Sequence, residues 1–273
     1  MTTILLTGAS GLVGSRLLPR LAQAGFDCRA LVRADFAPPH GTTAVRGDLL
    51  EDPSSLRSAV EGIDAVVHLA ALFRTHDQNA VWRANLDGTR NLVNAVKLYA
   101  PKARFVMAST GNVYDADATR PALETDPCSP TAAYPASKIA AEQILRESGL
   151  NWSILRLPFV YGDGDGHLAS LAGLAERFGL HPAHTYSVVH QRDIATVMGL
   201  ALAGHMDGHI VNVTDDAPVS VYEMTLIAGV PIPGSAEPLD NPWSGRMDGA
   251  LVRELGFRPT VPTIHAAARD GLL

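Results

Sequence analysis

A short apolar run, Thr3-Ile4-Leu5-Leu6-Thr7, leads directly into Gly8-Ala9-Ser10-Gly11-Leu12-Val13-Gly14 and then into an amphipathic stretch. Few local patterns restrict a fold as much. The first glycine allows a tight turn, the second lets a pyrophosphate approach the backbone, and the third lets the following helix pack closely on the strand. The N-terminus of that helix also offers free N–H groups to phosphates. Gly8, Gly11 and Gly14, with Ser10, Leu12 and Val13 between them, are therefore candidate cofactor-binding residues.

The following two thirds repeat the strand–helix alternation. Strands are predicted at Ile4–Thr7, Asp27–Val32, Thr43–Arg46, Ala65–Leu69, Arg104–Ala108, Trp152–Leu157 and His209–Val213. Helices are predicted at Leu12–Ala24, Pro53–Glu61, Ala80–Tyr99, Ala132–Ser148 and Gln191–Ala203. Such alternation predicts an α/β chain with a Rossmann-type, doubly wound parallel sheet and a small C-terminal substrate-binding part. Residues 1–158 form the expected dinucleotide-binding domain, which also receives 190–213. Residues 159–189 and 214–273 make the substrate part, with the Gly- and Pro-rich 229–242 segment as its lid.

With 273 residues, 47% of them hydrophobic, the chain can bury such a core. Its formal net charge of -6 favours neither nucleic acid nor an anionic membrane as partner, so small molecules are the expected ligands. No run of 18 apolar residues and no basic leader pattern occurs, which predicts a cytoplasmic protein without a membrane span. Cys28 reads as a core thiol and Cys128 as a loop thiol. His167, His181, His184 and His190 lack ligand spacing, and no metal is expected.

A second motif, Tyr134-Pro-Ala-Ser-Lys138, places a phenol and an ammonium four residues apart on one helical face. A neighbouring ammonium favours the phenolate, so Lys138 is expected to lower the Tyr134 pKa towards the working range of a general acid or base. A proton-transfer group beside a nucleotide cofactor is the reading. Cofactor choice is read at the end of the second strand, where an acidic residue holds the ribose 2′-hydroxyl in NAD-dependent proteins. Here Arg33 follows Val32, and a guanidinium suits a 2′-phosphate. NADP(H) is the expected preference; the alternative is a solvated Arg33 with Asp35 taking the acidic role and NAD(H) as cofactor.

With these residues in place, the chain resembles the extended short-chain dehydrogenase/reductase family, also called the NAD-dependent epimerase/dehydratase family. The ordered matches are Thr7-Gly8-xx-Gly11-xx-Gly14, Gly47-Asp48-Leu49, His68-Leu69-Ala70-Ala71, Asn85-Leu86-Asp87-Gly88-Thr89, Ser109-Thr110 before Val113-Tyr114, Tyr134-xxx-Lys138, Arg156 to Gly162, and His190 to Ala195. The resemblance implies that Asp48 and Leu49 border the adenine, that Leu69, Ala70 and Ala71 pass along the ribose and pyrophosphate, and that Asn85, Pro158 and Val160 flank the nicotinamide half. It implies Thr110, or Ser109 one register away, as the substrate-positioning hydroxyl. Tyr134 then exchanges a proton, and Lys138 is its electrostatic partner and ribose ligand. Asn112 and Phe159 are implied on the substrate side, and a homodimer pairing through Ala80–Tyr99 and Ala132–Ser148 follows the same likeness.

Two departures narrow the activity. Dehydratases of the family carry Asp-Glu after the catalytic threonine, where Gly111-Asn112 stand here. Many nucleotide-sugar epimerases have Asn at the position of Phe159. Within 167–189 Arg177 is the only Arg or Lys, leaving Arg192 and Arg246 as candidates for an anionic substrate. The leading expectation is an NAD(P)-dependent oxidoreductase acting at a hydroxyl/keto carbon of a small or sugar-like substrate. A sugar or nucleotide-sugar epimerase with tightly bound NAD is the runner-up. A non-catalytic NADP-sensing or scaffold protein is the third reading, and the presence of Tyr134 and Lys138 argues against it.

Overall fold

Ala65-Val66-Val67-His68 is buried at every position, the pattern of a strand covered on both faces rather than one alternating between core and water. The computed structural model, which describes residues 2–273, places this strand at the middle of a seven-stranded sheet. In chain order the sheet strands are β1 (Thr3–Thr7), β2 (Asp27–Val32), β3 (Thr42–Arg46), β4 (Ala65–His68), β5 (Arg104–Thr110), β6 (Asn151–Leu157) and, after three short strands, β10 (Ile210–Asn212). The short strands are β7 (Phe159–Tyr161), β8 (Thr185–Tyr186) and β9 (Val188–His190), and β11 (Val219–Ser220) follows β10. The main sheet runs β10-β6-β5-β4-β1-β2-β3, every pair parallel.

Chain direction across the sheet reverses between β1 and β4, and ligands of doubly wound sheets bind at the carboxyl ends of strands on either side of such a switch. One sheet face is covered by α1 (Gly14–Gln23) and α7 (Gln191–Leu202), which pack Leu17, Leu18, Leu21, Ile194 and Val197 against Ile4, Leu6, Val67 and Val106. The other face is covered by α2 (Arg57–Val60), α4 (Gly88–Tyr99) and α5 (Ala133–Arg146), over Leu5, Val66, Phe105, Met107 and Ile154. A third apolar cluster joins α6 (His167–Phe178), α8 (Val221–Ile227) and α10 (Ile264–Arg269) through Leu168, Leu171, Met224, Val261 and Ile264.

Buried Asp193 of α7 ties the C-terminal stretch to the sheet layer. Its carboxylate accepts from Thr260 N and Oγ1 at 2.6 and 2.7 Å and from Val261 N at 3.0 Å. Hydrogen bonds to a charged acceptor contribute about 1.5–3 kcal/mol each. His190 caps α7 by accepting from Arg192 N, and its other nitrogen donates to Leu272 O at 2.8 Å. It is a buried packing residue at the helix entry.

Two predicted helices are corrected. Ala80–Tyr99 is broken into α3 (Gln78–Trp82), one π-helical turn (Arg83–Asp87) and α4, because the wide turn swings Asn85 onto the segment that leaves β4. Pro53–Glu61 begins as a 3₁₀ turn (Pro53–Leu56) before α2; Pro53 lacks an N–H, and Asp52 caps Ser54 N instead. β5 runs two residues beyond its predicted end, through Ser109 and Thr110. Helix α6 and the short elements α8, α9 (Ala250–Glu254) and α10 were not predicted. Residues 229–242 are irregular, as expected.

Candidate active site

The site begins with the glycines. Gly8 has φ +76°, and a Cβ there would stand 2.8 Å from Ala70 N; a Cβ on Gly14 would stand 2.1 Å from Gly8 O. Backbone thus occupies the space of two side chains, folding the loop tightly over the β1–β4 switch. Gly11 N closes the turn on Gly8 O at 3.0 Å. At the start of α1, Ser15 N donates to Gly11 O at 3.0 Å and Arg16 and Leu17 N to Val13 O at 3.1 and 2.9 Å, which leaves the N–H groups of Leu12 and Val13 in the loop for a phosphate. This cradle fits a dinucleotide pyrophosphate.

Beneath the loop lies a buried relay. Ala70 N–H donates to Thr7 Oγ1 at 3.2 Å, and Thr7 Oγ1 lies 2.7 Å from His68 Nδ1. On the other side His68 Nε2 lies 3.0 Å from Thr89 Oγ1, which donates its own proton to Asn85 O at 2.6 Å. Thr89 can then only accept from His68, so the imidazole carries its proton on Nε2 and accepts from Thr7 on Nδ1. Burial, with Lys138 nearby, drives the His68 pKa down to about 3, so the ring is neutral. The relay pins β1, β4, α4 and the 69–71 segment together.

Asn85 extends this bracing. Its Oδ1 accepts from Leu72 N at 2.7 Å, and its Nδ2 donates to Leu72 O at 3.1 Å and to Ser137 Oγ at 3.0 Å. Ser137 in turn donates to Tyr134 O at 2.7 Å. Both amide protons are used, so Asn85 positions the segment after β4 against α5, rather than offering a free amide to the cleft.

β5 ends by presenting Ser109 and Thr110 to opposite sides. Ser109 donates to Glu142, inside a buried pair in which Arg156 forks onto both Glu142 oxygens at 2.7 and 3.2 Å. Arg156 also donates to Tyr114 Oη at 2.9 Å, and Tyr114 donates to Asn212 Oδ1 at 2.6 Å. Thr110 faces the cleft instead. Its Oγ1 accepts from Asn112 N at 3.2 Å and lies in hydrogen-bond reach of the Tyr134 hydroxyl. The period-two pleat therefore separates the two hydroxyls that the sequence left one register apart.

Electrostatics correct one expectation. The Tyr134 pKa is raised, burial being the largest cause, and the hydrogen bond with Thr110 is what opposes it. Lys138 is 2% exposed, and burial lowers its own pKa to about 8 against the opposing pull of Glu142. Two buried groups one helical turn apart each lose hydration, and that loss outweighs the mutual effect inferred from spacing.

Phe73 lies over Tyr134, ring centroids 4.3 Å apart. Across the cleft, Phe159 stacks on His167 at 4.0 Å. Met247 fills the place next to Gly111, whose Cβ would stand 2.4 Å from its sulfur. A cavity of about 320 Å³ opens behind Met247 and Ser187, with Asp215, Arg246 and Arg253 in its walls. Tyr134 does not line it; the phenol stands beside Thr110 at the end of β5.

The profile of the family described as NAD dependent epimerase/dehydratase matches residues 4–214. The chain belongs to that family. A ketoreductase of Stigmatella aurantiaca, named for 4-hydroxy-2-methyl-3-oxo-4-farnesyl-3,4-dihydroquinoline-1-oxide, is 31% identical over 96% of this chain and 83% of its own length. A ceramide reductase of Caulobacter vibrioides is 31% identical over 70% of this chain, which spans 58% of that protein. In structure, a short-chain dehydrogenase/reductase superfamily protein from Agrobacterium tumefaciens with bound NAD shares the fold at a TM-score of 0.80, with 23% identity and 98% and 97% of the two chains covered. This member of the epimerase/dehydratase family is an enzyme of the NAD-dependent dehydrogenase or epimerase type.

The family's motif positions converge at the strand ends. Asp48 spends Oδ1 on Leu50 N at 3.0 Å, and Leu49 packs against Gly88 of α4. Leu69 and Ala70 are half-buried and Ala71 exposed, lining one side of the cleft; Pro158 and Val160 stand on the β6–β7 side. Arg33 and Asp35 are both exposed beyond β2. Arg192 and Arg246, the candidates for an anionic substrate, each donate through Nε: Arg192 to Asp163 at 3.0 Å, and Arg246 to Thr185 Oγ1, with its guanidinium over the Trp243 ring. Sequence reasoning gave Thr7 and His68 a place in motifs but no role, and assigned nothing to Phe73 or Glu142. Glu142 was accessible, since it lies one turn beyond Lys138 on the same face; Phe73 carried no local signal. Among the described residues no helix is long and apolar enough to cross a membrane, and no cluster of metal-ligating side chains occurs.

Proposed function

We propose that the chain is an NADP(H)-preferring reductase or dehydrogenase that works at a hydroxyl/keto carbon, with Tyr134 as general acid/base, Thr110 holding the substrate oxygen and Lys138 as charge partner and ribose ligand. The observation carrying this reading is the Tyr134–Thr110 pair at the cleft, backed one turn along α5 by a buried lysine. Bound nicotinamide supplies or accepts hydride at its C4. In reduction Tyr134 donates its hydroxyl proton to the substrate oxygen. Burial keeps the phenol protonated at neutral pH, the form that a general acid needs. Asn112 N–H occupies a lone pair of Thr110 Oγ1, turning the Thr110 proton towards Tyr134 and the substrate oxygen. The Lys138 ammonium stabilises the phenolate left behind, and oxidation runs through the same groups in reverse.

In this reading Gly8, Ser10, Gly11, Leu12, Val13 and Gly14 hold the pyrophosphate, Asp48 and Leu49 the adenine, Leu69 to Ala71 the ribose side, and Pro158 and Val160 the nicotinamide. Asn85 braces that set, and Asn112 and Phe159 face the substrate. Residues 1–158 with 190–213 bind the dinucleotide, and 159–189 with 214–273 bind the substrate. Arg33 receives the 2′-phosphate. The enzyme is a cytoplasmic homodimer through α4 and α5, a state that a light-scattering mass of one chain, 28.9 kDa, would exclude.

The test is Tyr134→Phe assayed with both cofactors. Turnover should fall roughly 10²- to 10⁴-fold with cofactor affinity nearly unchanged. Wild-type turnover in that variant removes Tyr134 from the chemistry, and tighter binding of NAD(H) than NADP(H) by the wild type removes the role of Arg33. Epimerisation with retained NAD(H) is the rival within this family; turnover without added cofactor would establish it.

A further inference from the structure

Two ring pairs, Phe73–Tyr134 and Phe159–His167, are linked through Arg74. Phe73 covers the Tyr134 ring at 4.3 Å, tilted by 38°, although 49% of Phe73 is exposed. The next residue, Arg74, adopts φ +60°, a region that side chains other than glycine rarely enter. There its guanidinium lies 5.4 Å from the Phe73 ring centroid and bonds His167 Nε2 at 2.6 Å. Arginine only donates, so Nε2 accepts and Nδ1 carries the proton, donating to Val160 O at 2.8 Å. His167 is thereby a neutral plane with both nitrogens used, and its face lies flat on Phe159, 16° from parallel. The Arg74–His167 bond joins the segment after β4 to the start of α6, and a stacked ring pair stands at each end of it.

The guanidinium groups matter equally. Arg74 donates to His167, Arg192 through Nε to Asp163, Arg246 through Nε to Thr185, and Arg253 through Nη2 to Thr214 O and Asp216, while Arg253 Nη1 is buried without a partner. A diphosphate needs forked, uncommitted guanidinium groups. Arg246 and Arg253 wall the cavity behind Met247, which Tyr134 does not line, whereas exposed apolar ring surface stands beside the phenol.

We propose that the substrate is an uncharged ketone, or its alcohol, borne on a flat aromatic or conjugated ring, and that the face of Phe73 and the Phe159–His167 stack select it. This rests on the redox reading of Tyr134. Phe73 is the specificity residue: its ring stands 4.3 Å from that of Tyr134, the proton donor in this reading, and favours a planar, unsaturated neighbour by offset stacking. Phe159 supplies the opposite wall, in place of a polar contact to a sugar.

The test uses the full chain with NADPH and NADH against acetophenone, 1-tetralone, cyclohexyl methyl ketone and 3-hydroxybutanone, and with NADP⁺ and NAD⁺ against UDP-glucose. Calorimetric binding of 1-tetralone to the cofactor-loaded protein is measured alongside. The aryl ketones should exceed their saturated counterpart in kcat/KM by about tenfold, and Phe73→Leu should remove most of that advantage through KM. Phe159→Asn should weaken 1-tetralone binding in the same direction. Turnover of hydroxybutanone or UDP-glucose ahead of the aryl ketones keeps the redox reading and overturns this inference, as does an aryl preference unchanged in Phe73→Leu. Binding of 1-tetralone that Phe73→Leu weakens, without turnover of any carbonyl, supports the specificity and overturns the redox reading. Neither binding nor turnover overturns both.

Discussion

At the scale of single residues, the glycine loop was the most legible part of the site, because its requirement is steric and local. Only glycine leaves room for the Gly8 carbonyl next to position 14, where a methyl would lie 2.1 Å from that oxygen. Gly14→Ala must open the loop, at about 1–3 kcal/mol of strain, and should weaken dinucleotide binding by at least about tenfold. Gly25 is the control: its φ of +93° strains an added side chain, but nothing lies within 4 Å of a Cβ there, so Gly25→Ala should lose stability while holding its cofactor Kd. Fluorescence titration of both variants measures this, and equal cofactor affinities in the two would remove the steric account of the loop. Phe73, by contrast, could not be read. Its importance comes from a ring contact with Tyr134, 61 positions on by sequence number, and nothing in Leu72-Phe73-Arg74 marks it.

At the scale of elements, strand and helix identity followed from periodicity, whereas the behaviour of α5 depended on what it buries. The spacing of Tyr134 and Lys138 placed them on one face, and it hid the larger effect, that both are dehydrated. Lys138 is left near pKa 8, with Glu142 one turn further along opposing the drop. In the proposed mechanism the ammonium is needed, so reduction should fall as pH rises through about 8. Glu142→Gln withdraws the support, and the alkaline limb of kcat/KM should then move to lower pH. The same change strands Arg156, whose buried partner is lost at a cost of about 3–5 kcal/mol, so the profile is to be taken where circular dichroism shows the variant folded. A limb that stays in place would separate Glu142 from Lys138. Helix α6 was legible in principle, with Gly166 and Gly179 in left-handed conformations at its two ends and Leu168, Leu171 and Ala175 on its inner face. The π-helical turn before α4 was not, since it answers to Asn85 reaching Leu72, a contact that no periodicity encodes.

At the scale of the whole molecule, two buried titratable groups in different layers act on stability with opposite sign. His68, under the glycine loop, has its pKa lowered from an ordinary 6.5 to about 3. Below pH 6.5 the unfolded chain binds a proton there and the folded chain does not, so stability falls as pH drops from about 6.5 to 3. Asp215, 5% exposed beside the third apolar cluster, is raised by burial from 3.8 to about 8, and its Oδ2 is buried near the Tyr161 hydroxyl. Between those values the folded chain keeps a proton that the unfolded chain releases, so stability falls as pH rises from about 4 to 8. Each slope is at most about 1.4 kcal/mol per pH unit. They cancel between about pH 4 and 6.5, and above that Asp215 alone acts. Asp215→Asn should therefore turn the curve into one that climbs to pH 6.5 and then levels, whereas His68→Gln should leave one that declines from pH 4 to 8. The slopes, and not the absolute stabilities, separate the two groups, because each substitution also alters local hydrogen bonds by a pH-independent amount. Urea midpoints at pH 4.5, 6.0 and 7.5 for the three proteins measure it; three parallel curves would mean that neither group is held in the protonation state its burial demands.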